Sequence, residues 1–277
     1  MISRRAFSST LVAGAAAMAS PLRLAAATPA AAVAPLRIQR LSWAGIRLET
    51  PETTLFIDPW TSKAAWGGTW PRPIVPLEAS SKRRSVLITH LHNDHFDAAA
   101  LKLLLAEGGA VFCLDKLAPV VASKGLVARP VELFHPEAFG DFVFIPVSAA
   151  DGFGETQVSW IVKAAGMNLI HCGDTVWHSG FELDGRAYGP FDVAFLPMNG
   201  AVIRGRPIDV DVPATMTPTQ AVAAALLLRA KLVVPIHYGV SEDDYREEPN
   251  AIEETKQLAA AKGVAVRFVD EGEWVIK

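Results

Sequence analysis

The sequence predicts one mixed α/β domain over residues 36–277, and three observations carry the prediction. Short runs rich in Val, Ile, Phe and Trp recur at close intervals, bounded by Gly, Pro or Asp. In the second part of the chain they alternate with segments bearing helix start and stop signals. No repeat, low-complexity tract or linker divides the stretch.

Taken in order, strands are expected at Leu36–Trp43, Ile46–Glu49, Leu55–Ile57, Ser85–Thr89, Ala110–Leu114 and Asp141–Val147. Further strands are expected at Val158–Lys163, Met167–Cys172, Phe191–Leu196, Leu232–His237, Val264–Val269 and Glu273–Ile276. Three helices stand out. Asp97–Glu107 opens on a good N-cap, carries Ala and Leu at helical spacing and stops at Gly108-Gly109. Thr217-Pro218-Thr219-Gln220 is a capping box with Pro at the first helical position, and its helix runs to about Ala230. Ala251–Lys262 ends before Gly263.

The composition, 51% apolar and 20% charged over 277 residues, belongs to a folded chain with a sizeable core. Two cysteines exclude a disulfide-rich scaffold and any four-thiolate metal site. Beyond the first 35 positions no run of about 18 apolar residues lacks Gly, Pro and charge, so no stable membrane anchor is expected. Residues 1–34 look like an address label. Ser3-Arg4-Arg5-Ala6-Phe7, an Ala-rich stretch and Ala25-Ala26-Ala27 resemble a twin-arginine signal peptide and leader. That export machinery, an expected partner, carries proteins already folded, and the expected destination is periplasmic or secreted. Cleavage after Ala27 removes Arg4, Arg5 and Arg23 and takes the net charge from −3 to −6. Such a balance argues against nucleic acid as a partner.

The chemistry is concentrated after the Ser85–Thr89 strand, in His90-Leu91-His92-Asn93-Asp94-His95. Three imidazoles and a carboxylate within six residues form a nitrogen and oxygen donor set that suits Zn²⁺, with Mn²⁺ or Fe as harder alternatives. At a two-residue spacing, His90 and His92 can project the same way and close on one ion. Two later strands also end on a donor: Met167–Cys172 leads to Gly173-Asp174-Thr175, and Leu232–Ile236 to His237-Tyr238-Gly239. Neither a Gly-x-Ser-x-Gly elbow, a Gly-x-Gly-x-x-Gly turn nor a P-loop is present.

These three segments together resemble the metallo-β-lactamase-fold hydrolase superfamily, in particular its lactonase-like and phospholipase-D-like branch. Leu41-Ser42-Trp43-Ala44-Gly45-Ile46-Arg47-Leu48-Glu49 and Leu55-Phe56-Ile57-Asp58-Pro59 match that branch's opening strands, and Pro218–His237 its late helix and strand. The resemblance implies a four-layer αβ/βα sandwich with two divalent metal ions at one edge between the sheets. It implies His90 and His92 on one ion, Asp94, His95 and His237 on the other, and Asp174 as a bridge. The family supplies one more His to the first ion; in that register this chain has Asp151, which is expected to serve as a harder oxygen ligand. Asp58 is expected, by resemblance only, to fix an imidazole tautomer.

The implied activity is metal-dependent hydrolysis of a small ester, lactone or phosphodiester, with the hydroxide of a metal-activated water as nucleophile. Asp94 would orient that water and accept its proton. His178 follows Asp174 closely enough to protonate a leaving group, or is a surface histidine. Trp60, Trp66 and Trp70 either cover the site or pack as an ordinary loop. Arg204 and Arg206 could receive an anion or be solvated, and Ser241–Asp244 reads as a solvated turn. His171 is expected to be structural, and Cys113 and Cys172 could pair only at short Cα separation. The alternatives are a β-lactamase proper or a non-catalytic, metal- or ligand-binding member of the same fold.

Overall fold

The computed structural model describes residues 35–63, 70–77, 82–105, 108–205 and 210–277. Residues 1–34, expected from the sequence to be a signal peptide and leader, and Trp66, Arg206 and Glu107 therefore lie outside the described residues.

Seven strands form the first sheet: β1 (Arg37–Arg40), β2 (Ile46–Glu49), β3 (Thr53–Ile57), β4 (Arg83–Leu87), β5 (Val111–Leu114), β6 (Ala128–Val131) and the C-terminal β15 (Trp274–Ile276). Their spatial order is β15-β1-β2-β3-β4-β5-β6. The second sheet holds β7 (Glu137–Phe139), β8 (Phe142–Ser148), β9 (Val158–Ala164), β10 (Met167–His171), β11 (Val193–Pro197) and β13 (Val233–Ile236), in the order β13-β11-β10-β9-β8-β7. A third, two-stranded sheet pairs β12 (Val202–Ile203) with β14 (Tyr245–Arg246), setting Ile203 opposite Tyr245. The helices are α1 (Ala98–Leu104), α2 (Ala118–Ser123), α3 (Gly180–Ala187), α4 (Pro218–Leu227) and α5 (Ala251–Lys262).

Side-chain alternation on β8 to β11 sorts the core into layers. Phe144, Trp160, Val162, Leu169 and Phe195 pack with Ile38, Leu48, Phe56 and Val86 of the first sheet in one buried cluster. Their neighbours in sequence, Ile145, Ile161, Ile170, Ala194 and Leu196, pack instead with Phe181 of α3 and with Ala221, Ala224 and Ala225 of α4. Leu101 and Leu104 of α1 and Val121 of α2 join the first sheet's cluster. Each such large side chain, fully buried, contributes roughly 1.5–3 kcal/mol of transfer free energy. The result is the four-layer αβ/βα sandwich expected from the sequence.

The capping box at Thr217 and Gln220 is formed, and Asp97 caps α1 by accepting from the amides of Ala99 and Ala100, both at 3.1 Å. Two expectations are corrected. Val264–Val269 is not a strand: its only bridge is Val266 to Val233. The first strand stops at Arg40, because Leu41–Gly45 closes a turn in which Trp43 has φ +58°. Cys113, in β5, and Cys172, just past the end of β10, are both free and buried, and burial pushes each thiol up to about 12. Trp60 and Trp70 are core residues, edge to face at 4.8 Å. Among the described residues no helix is long and apolar enough to cross a membrane.

Candidate metal centre

Four strands of the two sheets end at one edge, and each hands a polar residue to it. β3 leads to Asp58, β4 to the segment His90–His95, β10 to Asp174 and β13 to His237. The second sheet grips the histidine segment directly. Trp160 Nε1 donates to the Ile88 carbonyl at 3.1 Å, and the Val158 amide donates to the Thr89 carbonyl at 3.1 Å. The segment then turns sharply, with the His95 and Phe96 amides both donating to the His92 carbonyl.

Six of the seven residues expected as metal ligands converge, in two groups of three whose donor atoms lie within 4.8 Å of one another. One group is His90, His92 and Asp174; the other is Asp94, His95 and His237. Asp174 Oδ2 faces both, at 3.4 Å from His90 Nε2, 3.8 Å from His92 Nδ1 and 3.9 Å from His237 Nε2. Asp94 Oδ2 lies 3.8 Å from the Nε2 atoms of both His95 and His237.

The donor set fits divalent metal ions on an observation independent of resemblance. The Nε2 atoms of His90, His95 and His237 are buried and make no hydrogen bond. Such an orphaned group ordinarily costs about 1–3 kcal/mol. A cation shared with the neighbouring carboxylates would use each lone pair. His90 and His237 would thus ligate through Nε2, and His92 through Nδ1, since its Nε2 lies 3.0 Å from Glu155 Oε2.

A buried network sets the tautomers that this requires. Asp58 accepts from the Thr89 amide at 2.8 Å and the Thr89 hydroxyl at 2.5 Å, and pairs with His95 Nδ1 at 2.8 Å. Thr89 Oγ1, its proton committed to Asp58, faces His90 Nδ1 at 3.0 Å as an acceptor. One carboxylate therefore orients an imidazole in each group. His237 Nδ1 meets the Tyr245 hydroxyl at 3.2 Å, which also accepts from Asn199 Nδ2 at 2.8 Å. The Gln157 amide, oriented to donate to Asp174 Oδ1 and accept from the Thr175 amide, leaves Oδ2 to the histidines and sets its nitrogen 3.1 Å from His90 Nδ1, where it competes with Thr89 Oγ1 for that ring nitrogen.

The electrostatics follow from burial and proximity. Burial opposes the charge on His95, but Asp94 and Asp58 outweigh it and push its pKa up to about 9. Burial pulls His237 down to about 4, with Asp174 resisting only in part. Burial would raise Asp58, Asp94 and Asp174, yet the surrounding histidines hold all three below the usual carboxylate value, Asp174 the furthest. Two residues at the centre, Asp58 (φ +46°) and His237 (φ +58°), hold a left-handed backbone that non-glycine residues rarely adopt.

A cavity of about 360 Å³ opens onto both groups through His92, Asp94, Asp174 and His237. Its outer wall carries Phe153, Ile203, Thr215, Glu242, Asp244 and Tyr245. The acidic run read from sequence as a solvated turn thus contributes to the wall. Tyr245, Gln157, Thr89 and Glu155 were not identified from sequence; only Thr89, between a strand and the histidine motif, carried a local signal.

Asp151 is not brought to either group. Its Oδ2 accepts from the amides of Phe153 at 2.6 Å and Glu155 at 3.1 Å, closing a turn over 151–155. Asp-Gly turn chemistry, with a carboxylate bonding its own backbone, claims the side chain. The carboxylate that reaches the first group there is Glu155. His178 does not line the cavity: it stacks on Phe181 at 4.2 Å, and its Nδ1 accepts from the Gly180 amide. His171 is structural, its Nε2 donating to the Ala44 carbonyl at 2.8 Å. Arg204 is paired with Asp211.

Two sheets with helices outside and clustered His and Asp donors at their shared edge define a metal-dependent hydrolase of the metallo-β-lactamase fold. The sequence model of the family described as "Beta-lactamase superfamily domain" matches residues 53–238, and the chain belongs to that superfamily. It is 29% identical over 238 residues to a UPF0173 metal-dependent hydrolase of Caldivirga maquilingensis, covering 82% of this chain and 92% of that protein. A UPF0173 metal-dependent hydrolase of Thermus thermophilus is 28% identical over 247 residues, covering 86% and 97%. Among solved structures, the metallo hydrolase Igni18 of Ignicoccus hospitalis superposes with a TM-score of 0.67 at 24% identity, over 87% of this chain and 97% of that one. CmlA, a diiron β-hydroxylase of Streptomyces venezuelae, shares the fold at a TM-score of 0.68 and 16% identity, over 88% of this chain and 54% of that one.

Proposed function

We propose that the chain is an exported hydrolase of the lactonase-like and phospholipase-D-like branch that uses two divalent cations, Zn²⁺ or else Mn²⁺ or Fe, to cleave a small ester, lactone or phosphodiester. One observation supports it above the others: Asp174 Oδ2 faces histidines of both groups, the position of a ligand shared by two ions. When bound, the ions supply Lewis acidity that brings a water towards its nucleophilic form near neutral pH and polarises a carbonyl or phosphoryl oxygen.

The chain's own residues do the rest. His90, His92 and Asp174 hold one ion, and Asp94, His95 and His237 the other. Asp58 and Thr89 keep the Nδ1 protons of His95 and His90 turned away, so that both Nε2 lone pairs face inward. Asp94, which lines the cavity, orients the water and takes its proton. Phe153 and Ile203 offer an apolar wall to the body of the substrate.

Elemental analysis of the processed protein, prepared without chelator, tests the ion count: near two metals per chain is expected, and one or none refutes the two-ion mechanism. Asp94→Asn is then expected to abolish turnover of whichever ester, lactone or phosphodiester the wild type cleaves, with the fold intact. Retained turnover would remove Asp94 from the mechanism.

A further inference from the structure

Trp43 shows three features that the mechanism above does not use. It is fully buried, and its indole Nε1 donates to Asp94 Oδ2 at 3.0 Å. That oxygen is the one facing His95 and His237. Its ring lies 4.2 Å from the His237 ring, so it touches two members of the second group. Its backbone holds φ +58°, an outlier for a bulky aromatic residue. Asp58 and His237 show the same left-handed backbone, and both serve the metal centre; strain of this kind persists where the surroundings over-determine it and the position has a task.

The surroundings of Trp43 do over-determine it. Its amide donates to Glu271 Oε1 at 2.8 Å, and Glu271 is itself held by Arg72 at 3.0 Å. The next carbonyl, Ala44, accepts from His171 at 2.8 Å. Gly45 closes the turn so near the Asp58 carbonyl that a Cβ there would come within 2.9 Å of it. Buried groups from three distant parts of the chain thus fix one indole N–H on one carboxylate oxygen.

We propose that Trp43 is a positioning residue for the second metal ion. By donating to Asp94 Oδ2 it locks the rotation of that carboxylate, so that the oxygen already meets the histidines before the ion arrives. Its indole acts on the second group, through the hydrogen bond to Asp94 and the ring contact with His237. The proposal rests on the two-ion mechanism proposed above.

The test replaces Trp43 by 3-benzothienylalanine, which keeps the indole outline and has no N–H, alongside Trp43→Phe. The full-length protein is titrated with Co²⁺, followed by its visible absorption and by competition with a chelator. The wild type is expected to take two ions in resolvable steps. In both variants one of the two steps weakens by roughly 10- to 100-fold, the usual loss when a group that orients a ligand is removed, and the other stays as in the wild type. Equal affinities for both steps in wild type and isostere overturn the role of Trp43 while leaving the two-ion mechanism standing. A single Co²⁺ in the wild type overturns both. A wild-type measurement covers the case where neither variant folds. The Trp43 Nε1–H resonance, assigned through bonds, is expected to move with one of the two equivalents of Zn²⁺ and not with the other; no movement with either overturns the proposal.

Discussion

Replacing Asp58 by Asn is the most informative single change at the centre. The carboxylate is fully buried and has three partners: the Thr89 amide, the Thr89 hydroxyl and His95 Nδ1. An asparagine can keep the amide bond through its oxygen, but its NH₂ then faces both the hydroxyl and His95. His95 Nδ1 must become an acceptor, so its proton moves to Nε2 and blocks the lone pair that would meet the metal. Thr89 turns its oxygen to the new NH₂ and releases His90. Two magnitudes follow. Breaking a buried pair by removing one partner costs about 3–5 kcal/mol, and 3 kcal/mol of this lowers the melting temperature of metal-free protein by roughly 6–12 °C. Affinity for both ions falls by roughly 10- to 100-fold each, because one carboxylate serves His95 directly and His90 through Thr89. Urea denaturation of chelated protein at pH 7 and a Co²⁺ titration measure the two quantities. A destabilisation below about 1 kcal/mol with both affinities unchanged would refute the network.

Three further predictions follow from the same centre. The stability of metal-free protein should peak near pH 6.5. The contribution of His95, whose pKa is raised from 6.5 to about 9, is full below 6.5 and lost as pH rises through 9. That of His237, lowered from 6.5 to about 4, is full above 6.5 and lost as pH falls through 4. Each is worth about 3 kcal/mol by the size of its shift, and a monotonic urea-midpoint profile between pH 4 and 9 would contradict the assignment. Asp151→Ala should remove a turn cap at a cost of about 1 kcal/mol and leave metal stoichiometry unchanged; loss of an ion would make it a ligand after all. Glu155→Ala, at a side chain 56% exposed, should alter stability by less than about 0.5 kcal/mol while weakening only the first ion. A weakened second ion would be inconsistent with its place beside His92.

Much of the centre was readable in the sequence because its donors sit where strands end. A Val- and Ile-rich run followed closely by His marks such an end at His90–His95 and His237, and Asp174 stands after Gly173 just past the apolar run Leu169-Ile170. What failed to read depends on distance or on competition. Asp151 had the right register along the chain, but a carboxylate two residues before an amide bonds locally in preference to reaching across a site. Trp43 read as the end of a strand, because its turn is enforced by Glu271, which lies 228 positions away. Val264–Val269 has the composition of a strand, yet only Val266 meets Val233, so tertiary placement decides against propensity. Helix α3 was missed because glycines at 180 and 185 weaken its signal. Gly185 is there for packing: a Cβ would come within 1.9 Å of the Leu227 carbonyl on α4.

The small β12–β14 pair separates two evolutionary fates within one molecule. The donors hang from the rigid ends of the large sheets, while Ile203 and Tyr245 belong to loops that pair in a separate two-stranded sheet. Lengthening or shortening either loop would reshape the outer wall while the strand ends that carry the donors stay in place; the loop meets them through the Tyr245 hydroxyl at His237. Descendants of this chain could therefore exchange one substrate for another by drift in a few surface residues, with the reactive centre inherited intact.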